Sequence, residues 1–195
     1  MKRNIFASVI ILLVVFGTVR GQAQDLTTSG VEVEVQGFGK VIIPDIIVQD
    51  QDGQKSRFYS DLVKDKVVVI NFFYTSCAYI CTLQGRTFSK LQSLLGERLG
   101  KSVFLISVST DPANDNSAQL KQWSKRYDVQ TGWTLVTGST AEMNKLLLPF
   151  TAKPASGGMH LPVTFIGNAR TGVWTGATGT FAPEDLLKVV NFISR

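Results

Sequence analysis

One apolar run, residues 67–74, followed at once by a pair of cysteines, constrains the fold of this chain more than any other feature. The run is short, rich in β-branched and aromatic residues, and bounded by polar residues. These properties predict a fully buried strand. Cys77 and Cys81, the two cysteines of the 195-residue sequence, follow it and precede a long helical pattern. The sulfurs are therefore expected where a strand passes into a helix, which is where ligands and chemistry collect in open α/β sheets.

The spacing of the two cysteines leaves two chemical roles open. If the helix starts near Cys77, a spacing of four places both thiols on one face, one turn apart. Such a pair can close a disulfide or hold one soft metal ion. A structural disulfide is the usual fate of a cysteine pair in an exported protein. A disulfide that closes so short a loop would stabilise the fold little. A chain with 44% hydrophobic residues can also form a core without a disulfide. The position therefore favours a functional role.

The first 23 residues have the organisation of a targeting segment. Lys2 and Arg3 form a positive region, residues 5–16 form an apolar region, and Gly21 and Ala23 are small residues at a plausible cleavage site. This pattern predicts a secretory signal peptide over residues 1–23. The alternative is an uncleaved N-terminal membrane anchor, because residues 5–19 could span a locally thinned bilayer. Residues 24–195 are expected to form one domain in a periplasmic or other extracytoplasmic compartment, with the inner membrane contacted only through the N-terminal segment.

The formal charge of +5 overstates how basic the mature protein is. Lys2, Arg3 and Arg20 lie in the targeting segment, and without them 17 basic residues face 15 acidic ones. A net charge of about +2 argues against a nucleic-acid partner and against a lipid surface as a partner of the domain.

Strand and helix patterns alternate along the rest of the chain. An alternating hairpin over residues 31–43 is followed by β-α-β-α-β-α, then a second hairpin and a terminal helix. The predicted strands are residues 46–48, 67–74, 103–108, 134–136, 161–166 and 173–175; the predicted helices follow Cys81, Asn114 or Asp115, Ser139 or Thr140, and Pro183. This order predicts an α/β fold with a thioredoxin-like layout. Its central sheet is expected to be mixed but mainly parallel, flanked by helices and extended by the N-terminal β-hairpin.

His160, the one histidine in the sequence, is a candidate third partner for the two sulfurs. It follows Gly157 and Gly158 and precedes a predicted strand. An arbitrary lone histidine is more often a surface residue without a role. In a thioredoxin-like layout, however, the loop before this strand faces the loop with the cysteines. Two thiolates and one imidazole suit Cu(I), which accepts soft ligands and low coordination. Catalytic zinc with an open fourth position stays open as an alternative.

Three other features near these residues are ambiguous. Pro162 resembles the cis-proline that abuts the reactive cysteines of thioredoxin-like enzymes, and a cis bond after Leu161 is expected from that resemblance. Met159 is a soft side chain that could assist copper, although methionine more often serves packing. Asp111 and Asp115 are interpreted as a strand-ending turn and a helix cap, in preference to a role near the cysteine loop.

The cysteine pair after residues 72–75, the segment 108–112 with its Asp-Pro turn, and the downstream His160 together resemble the Sco/SenC family. The resemblance runs from about Ile43 to the C-terminus. It implies a thioredoxin-like fold and copper ligation by Cys77, Cys81 and His160. Family members deliver copper to the dinuclear copper site of cytochrome c oxidase, or reduce its cysteines. The chain departs from the family pattern at Ala78, Thr82 and Met159, where the family usually has two prolines and an aspartate.

Two functions follow from these residues. The first is a metallochaperone, not an enzyme in the strict sense, that passes Cu(I), or Cu(II), to a copper-accepting oxidase subunit or its cysteines. The second is a periplasmic thiol–disulfide oxidoreductase in which Cys77 attacks and Cys81 resolves, served by a protein thiol reductant. Three residues separate the two cysteines, whereas a thioredoxin-type redox pair has two, and this difference counts against the oxidoreductase. A thiol peroxidase is a weaker third reading, because Thr75 and Arg170 offer no secure peroxide site.

Overall fold

The computed structural model describes residues 29–150 and 162–195. The predicted targeting segment, Met159 and His160 lie outside these described residues. The described ranges contain nine strands: β1 Gly30–Gln36, β2 Gly39–Pro44, β3 Ile47–Asp50, β4 Lys55–Arg57, β5 Val67–Phe73, β6 Val103–Ser109, β7 Trp133–Thr137, β8 Val163–Asn168 and β9 Val173–Thr178. They also contain four α-helices: α1 Ile80–Leu95, α2 Ser117–Arg126, α3 Thr140–Leu147 and α4 Pro183–Ile193. Within these ranges, no helix combines the length and the apolar character needed to cross a bilayer.

All nine strands join in one mixed sheet with the order β2-β1-β9-β8-β5-β6-β7-β3-β4. Strands β5, β6 and β7 are parallel, as the helical crossovers between them require. The flanks add antiparallel pairs, with β8 beside β5 and β3 beside β7. The parallel part is therefore confined to the centre and to the short β1–β9 contact. The predicted N-terminal hairpin forms as β1 and β2, and it extends the main sheet because β1 pairs with β9.

Strand β5 lies at the centre of the molecule and all seven of its residues are buried. Because successive side chains of a strand point to opposite faces, β5 contributes to two cores. Val68, Ile70 and Phe72 face the core that contains α3. Val67, Val69 and Phe73 face the core that contains α1, α2 and α4. Helices thus cover both faces of the sheet, as predicted.

Two predicted boundaries near the site are wrong by a few residues. The strand expected over residues 161–166 begins at Val163, so Pro162 lies just before the ladder, where a residue without an N–H is tolerated. Helix α2 is capped by Asn116 and not by Asn114 or Asp115. The Asn116 side chain accepts hydrogen bonds from the backbone N–H groups of Ala118 and Gln119, and the Gln119 side chain completes a capping box.

A close backbone contact at Gly132 sets the start of β7 against the segment that precedes β6. Gly132 has a φ of +100°, and its carbonyl oxygen accepts a hydrogen bond from the Leu105 N–H at 2.9 Å. A Cβ atom at this position would lie 2.3 Å from the backbone nitrogen of Gly100. At Gly172, in the β8–β9 turn, φ is also positive but no atom lies within 4 Å of such a Cβ.

We therefore expect Gly132→Ala to lower the free energy of unfolding by about 1–3 kcal/mol more than Gly172→Ala, because only the first adds an overpacked contact to the backbone strain. Urea unfolding monitored by tryptophan fluorescence measures both variants. Equal losses for the two would contradict the role given to this contact.

Candidate thiol and metal site

The two cysteines lie at the carboxyl-terminal edge of the central strands. Residues 74–79 form a loop between β5 and α1, and this loop contains Cys77. Cys81 belongs to the first turn of α1, which begins at Ile80. The condition for both thiols to lie on one helix face, a helix start near Cys77, is therefore not met. Cys77 is half-buried and Cys81 is fully buried, and both are free thiols. The predicted strand-to-helix position of the pair is confirmed, but only one of the two sulfurs is on the helix.

The Cys77 sulfur is surrounded by hydrogen-bond donors. The backbone N–H of Cys81 donates to Cys77 Sγ at 3.3 Å. Burial, the largest single influence, disfavours the Cys77 thiolate. Hydrogen bonds from the Cys81 thiol, from the backbone N–H groups of Cys81 and Tyr79, and from the Tyr74 hydroxyl outweigh it. Together they hold the pKa of the Cys77 thiol below its ordinary value, as expected for a sulfur at the start of a helix.

Cys81 has the opposite electrostatic environment. Burial raises the pKa of its thiol far above the ordinary value, and the hydrogen bond to Cys77 together with the negative charges of Cys77 and Asp115 adds to the increase. The pair therefore combines one accessible sulfur that ionises readily with one buried sulfur that retains its proton. Such a division suits a nucleophilic thiol backed by a second thiol, and it supplies two adjacent soft donors to a metal.

Asp115, interpreted from sequence as a turn or cap residue, instead fastens the cysteine loop to the end of β6. Its carboxylate accepts hydrogen bonds from the Thr75 backbone N–H at 3.2 Å, from the Thr75 hydroxyl, and from the Ser109 hydroxyl at 2.6 Å. The Thr137 hydroxyl donates to the Asp115 carbonyl oxygen at 2.9 Å. Asp115 is 3% exposed, and burial raises the pKa of its carboxyl group, although the bonds from Ser109 and Thr75 oppose that increase.

Asp111, by contrast, remains close to the role expected for it. Its side chain accepts hydrogen bonds from the Asn114 side chain at 2.9 Å, and its backbone N–H donates to Ser109 Oγ at 3.1 Å. It forms the turn after β6, as predicted. The sequence signal that could have identified Asp115 is Asn116, the residue after it. Asn116 caps α2 together with Gln119, so the Asp115 side chain is not needed as a cap.

The structure describes two of the three predicted copper ligands. His160 and Met159 fall outside the described residues, and so does Leu161, so the predicted cis bond before Pro162 stays a prediction. Among residues 29–150 and 162–195, no three His, Cys, Asp or Glu side chains converge to hold a metal. The assignment of Cys77, Cys81 and His160 as copper ligands therefore stays a prediction.

Comparison with known proteins identifies relatives of this arrangement. Residues 42–158 match the model of the SCO1/SenC family. The SCO1 protein homolog of Bacillus subtilis is 33% identical over 103 residues, which are 51% of this chain and 51% of that protein. The chain thus spans about half the length of the curated relatives it matches.

Two solved structures show the same fold. BsSco, described as a member of the Sco family of cytochrome c oxidase assembly proteins with a disulfide switch, is 25% identical with a TM-score of 0.65, covering 85% of this chain and 96% of that one. Bradyrhizobium japonicum ScoI, solved with copper bound, is 20% identical with a TM-score of 0.62, covering 84% and 98%. The predicted thioredoxin-like fold class and the predicted family are confirmed.

The unequal environments of the two thiols give a direct prediction for the reduced, metal-free protein. Iodoacetamide should alkylate Cys77 at least about tenfold faster than Cys81 near neutral pH, because the thiolate is the reacting form. The Cys77 rate should reach half its maximum at a lower pH than the rate of an unperturbed cysteine thiol in a short peptide, because the pKa of Cys77 is lowered. Peptide mapping by mass spectrometry at a series of pH values measures both rates. Equal rates, or faster reaction of Cys81, would contradict the assignment.

Asp115→Asn should destabilise the protein by about 1–3 kcal/mol at neutral pH, because the amide replaces one of the two oxygens that accept from Thr75 and Ser109 with an NH2 group. Asp111→Asn is the matched control, since that carboxylate bonds an exposed asparagine and its loss should cost less than about 0.5 kcal/mol. Urea unfolding at pH 7 compares the two. Equal effects would show that the Asp115 carboxylate does not hold the loop.

Proposed function

Because the chain belongs to the SCO1/SenC family, we propose that it is an exported copper-binding protein that delivers copper to the copper site of cytochrome c oxidase during assembly. The same pair of thiols could instead deliver reducing equivalents to that site. The observation that supports the proposal best is the pair itself: two free, hydrogen-bonded thiols at the edge of the sheet, one half-buried and one fully buried.

The chemistry of the donors fits copper as cargo. Thiolates are soft ligands, and Cu(I) accepts them at low coordination number, so Cu(I) is the favoured state and Cu(II) the secondary one. Both thiols must lose their protons on binding, so copper affinity should increase with pH. Cys77, whose pKa is already low, gives up its proton at lower cost than Cys81.

His160 is the third ligand of the proposed site, and the register of β8 supports this role. Strand β8 runs antiparallel to β5, with Thr164 opposite Asn71. Continued by two residues, this register brings Pro162 level with Phe73, at the edge of the sheet from which the cysteine loop departs. His160 is two residues from Pro162, and two residues span at most about 7 Å. This short separation along the sequence supports His160 as a ligand at the edge where the cysteine loop begins.

Copper would leave this site by ligand exchange. A thiolate of the accepting oxidase subunit would first replace Cys77, because Cys77 is the more accessible sulfur, and then the buried Cys81. The N-terminal 23 residues would bring the domain to the extracytoplasmic side as a cleaved signal or hold it there as an anchor. A protein thiol reductant would keep the cysteines reduced.

A second candidate function is that of a thiol–disulfide oxidoreductase, and the opposite pKa directions of the two thiols favour it. The Cys77 thiolate would attack a partner disulfide and release one partner thiolate, forming a mixed disulfide. Cys81, once deprotonated, would attack Cys77 and release the second partner thiol. The partner is thereby reduced and the Cys77–Cys81 disulfide is formed.

Titration of the reduced soluble domain with Cu(I) against a competing chelator tests the copper proposal. We expect tight one-to-one binding. Cys77→Ser and Cys81→Ser should abolish it, and His160→Ala should weaken it at least about tenfold, since even groups that merely orient a ligand contribute about 10–100-fold. Met159→Ala, one residue away in the chain, is the matched control and should change the affinity little.

The outcomes separate the two candidates. Unchanged affinity in His160→Ala would remove the histidine as a ligand, and weak binding by the parent domain would overturn the copper proposal. An oxidising reduction potential with rapid exchange onto a model dithiol, measured on the same samples, would favour the oxidoreductase instead.

A further inference from the structure

The positive charge of the domain is concentrated on two of its four described helices. Helices α1 and α2 contain five cations and no aspartate or glutamate: Arg86, Lys90, Lys121, Lys125 and Arg126. All five are exposed. Helices α3 and α4, in contrast, each carry acids that pair with their own lysines. The small net charge of the chain conceals this asymmetry.

Three of these cations surround a groove between α1 and the end of α2. The groove has a volume of about 480 Å³ and is lined by Arg86, Lys90 and Arg126 together with Tyr127, Asp128 and hydroxyl-bearing residues of α1, so three cations share it with one carboxylate. Tyr127 lies against Gly85, where an added Cβ would come within 2.6 Å of the tyrosine ring, so this side chain, just after α2, packs directly on α1 beneath the groove. Among the described residues, none of these three cations forms an ion pair.

The exposed face of α1 that carries the basic groove begins at the cysteine loop. Tyr79, between the two cysteines, is 75% exposed, and Leu83 one turn later is 37% exposed. Tyr79, Leu83, Arg86 and Lys90 follow the spacing of a single helix face. At about 1.5 Å per residue, Arg86 and Lys90 lie about 8 and 14 Å along the axis from Cys81. One face therefore has an apolar end at the thiols and a basic end beyond them.

We propose that this face of α1, together with Arg126, is the docking surface for an acidic segment of the protein that exchanges copper or electrons with Cys77 and Cys81. What is exchanged at the cysteines depends on the proposed function. The preference of this surface for an acidic partner does not depend on it. Apolar side chains of the partner contact Tyr79 and Leu83 beside the sulfurs, and carboxylates one to three turns farther along meet Arg86, Lys90 and Arg126. Opposite charge raises the rate of encounter and fixes the orientation of the partner.

Other occupants fit the surface less well. The parts of the chain outside the described residues are themselves basic: residues 1–28 contain Lys2, Arg3 and Arg20 against Asp25, and residues 151–161 contain Lys153 and no acid. An anionic bilayer would meet the cations, but it would leave the adjoining cysteine site without an exchange partner. An acidic protein segment satisfies both ends of the face.

Disulfide-linked peptide dimers of defined charge test the surface without copper. Each chain contains one cysteine and, two to five residues away, four glutamates, four glutamines or four lysines; an extended chain of about 3.3 Å per residue spans the distance to Arg86 and Lys90. The reduced domain is oxidised to its internal disulfide as each dimer releases two peptide thiols. The rate ratio between glutamate and glutamine peptides is the measured quantity.

We expect the glutamate peptide to react about tenfold faster than the glutamine peptide at low salt, and the lysine peptide more slowly than either. Arg86→Glu with Lys90→Glu should reduce the ratio to one or below, as should 0.5 M salt, which shortens the screening length to about 4 Å. The matched control is Lys64→Glu with Arg170→Glu. These exposed cations lie beside the opposite edge of the sheet, near Val67 and Asn168.

A ratio that falls equally in both double variants would show that only net charge matters and would overturn the proposal. Binding of phosphatidylglycerol vesicles that is lost in Arg86→Glu with Lys90→Glu, without charge selectivity toward peptides, would assign the face to a membrane instead. A selective reaction in a domain that fails to bind Cu(I) would support the docking surface while overturning the copper function.

Discussion

The buried Asp115 carboxylate is the interaction on which the geometry of the cysteine loop depends. It joins the chain just after β5 to the chain at the end of β6 by accepting from Thr75 twice and from Ser109 once. A buried carboxylate without partners would be costly. Here the donors offset part of the cost of burial. The orientation they impose on Thr75 constrains Cys77, which follows it after one intervening residue. The backbone bond from Cys77 N–H to the Tyr74 carbonyl at 3.2 Å completes the turn.

The fold was predictable from sequence because the hydrophobic pattern of each strand is visible within a short segment of the chain. The continuous apolar run of β5 and the alternation of β1 are consequences of how each strand is buried, and both are visible along the chain. The sheet's antiparallel flanks were less predictable because pairing of β3 with β7 and of β1 with β9 joins segments far apart in sequence. In the site, Cys77 and Cys81 were identifiable by type and spacing. Asp115 was not, since its partners Thr75 and Ser109 lie on two different strand ends, and its position before Asn116 is typical of a helix cap.

The net charge of the chain was a poor guide to its partners, because it also contains no information about position in the fold. A net charge near +2 describes the average over a surface, whereas association depends on where the charges lie. Helices α1 and α2 carry the excess because all their charged residues are cations, of which only Lys121 forms an ion pair among the described residues. The acids of α3 and α4 instead neutralise lysines on their own helices. The helical bounds had to be known before residues 86, 90 and 126 could be assigned to one groove.

The same asymmetry of the two sulfurs serves copper transfer and thiol exchange, so the thiols alone do not distinguish these functions. Both need an accessible, easily ionised Cys77, and both benefit from a Cys81 that is protected until its partner has engaged. The difference lies in the third group. Thiol exchange requires nothing beyond the two sulfurs and a base, whereas a stable copper site gains a nitrogen donor with a fixed direction. The proposed copper function depends on His160 as that donor, and the start of β8 at the same sheet edge as the cysteine loop supports this proposal.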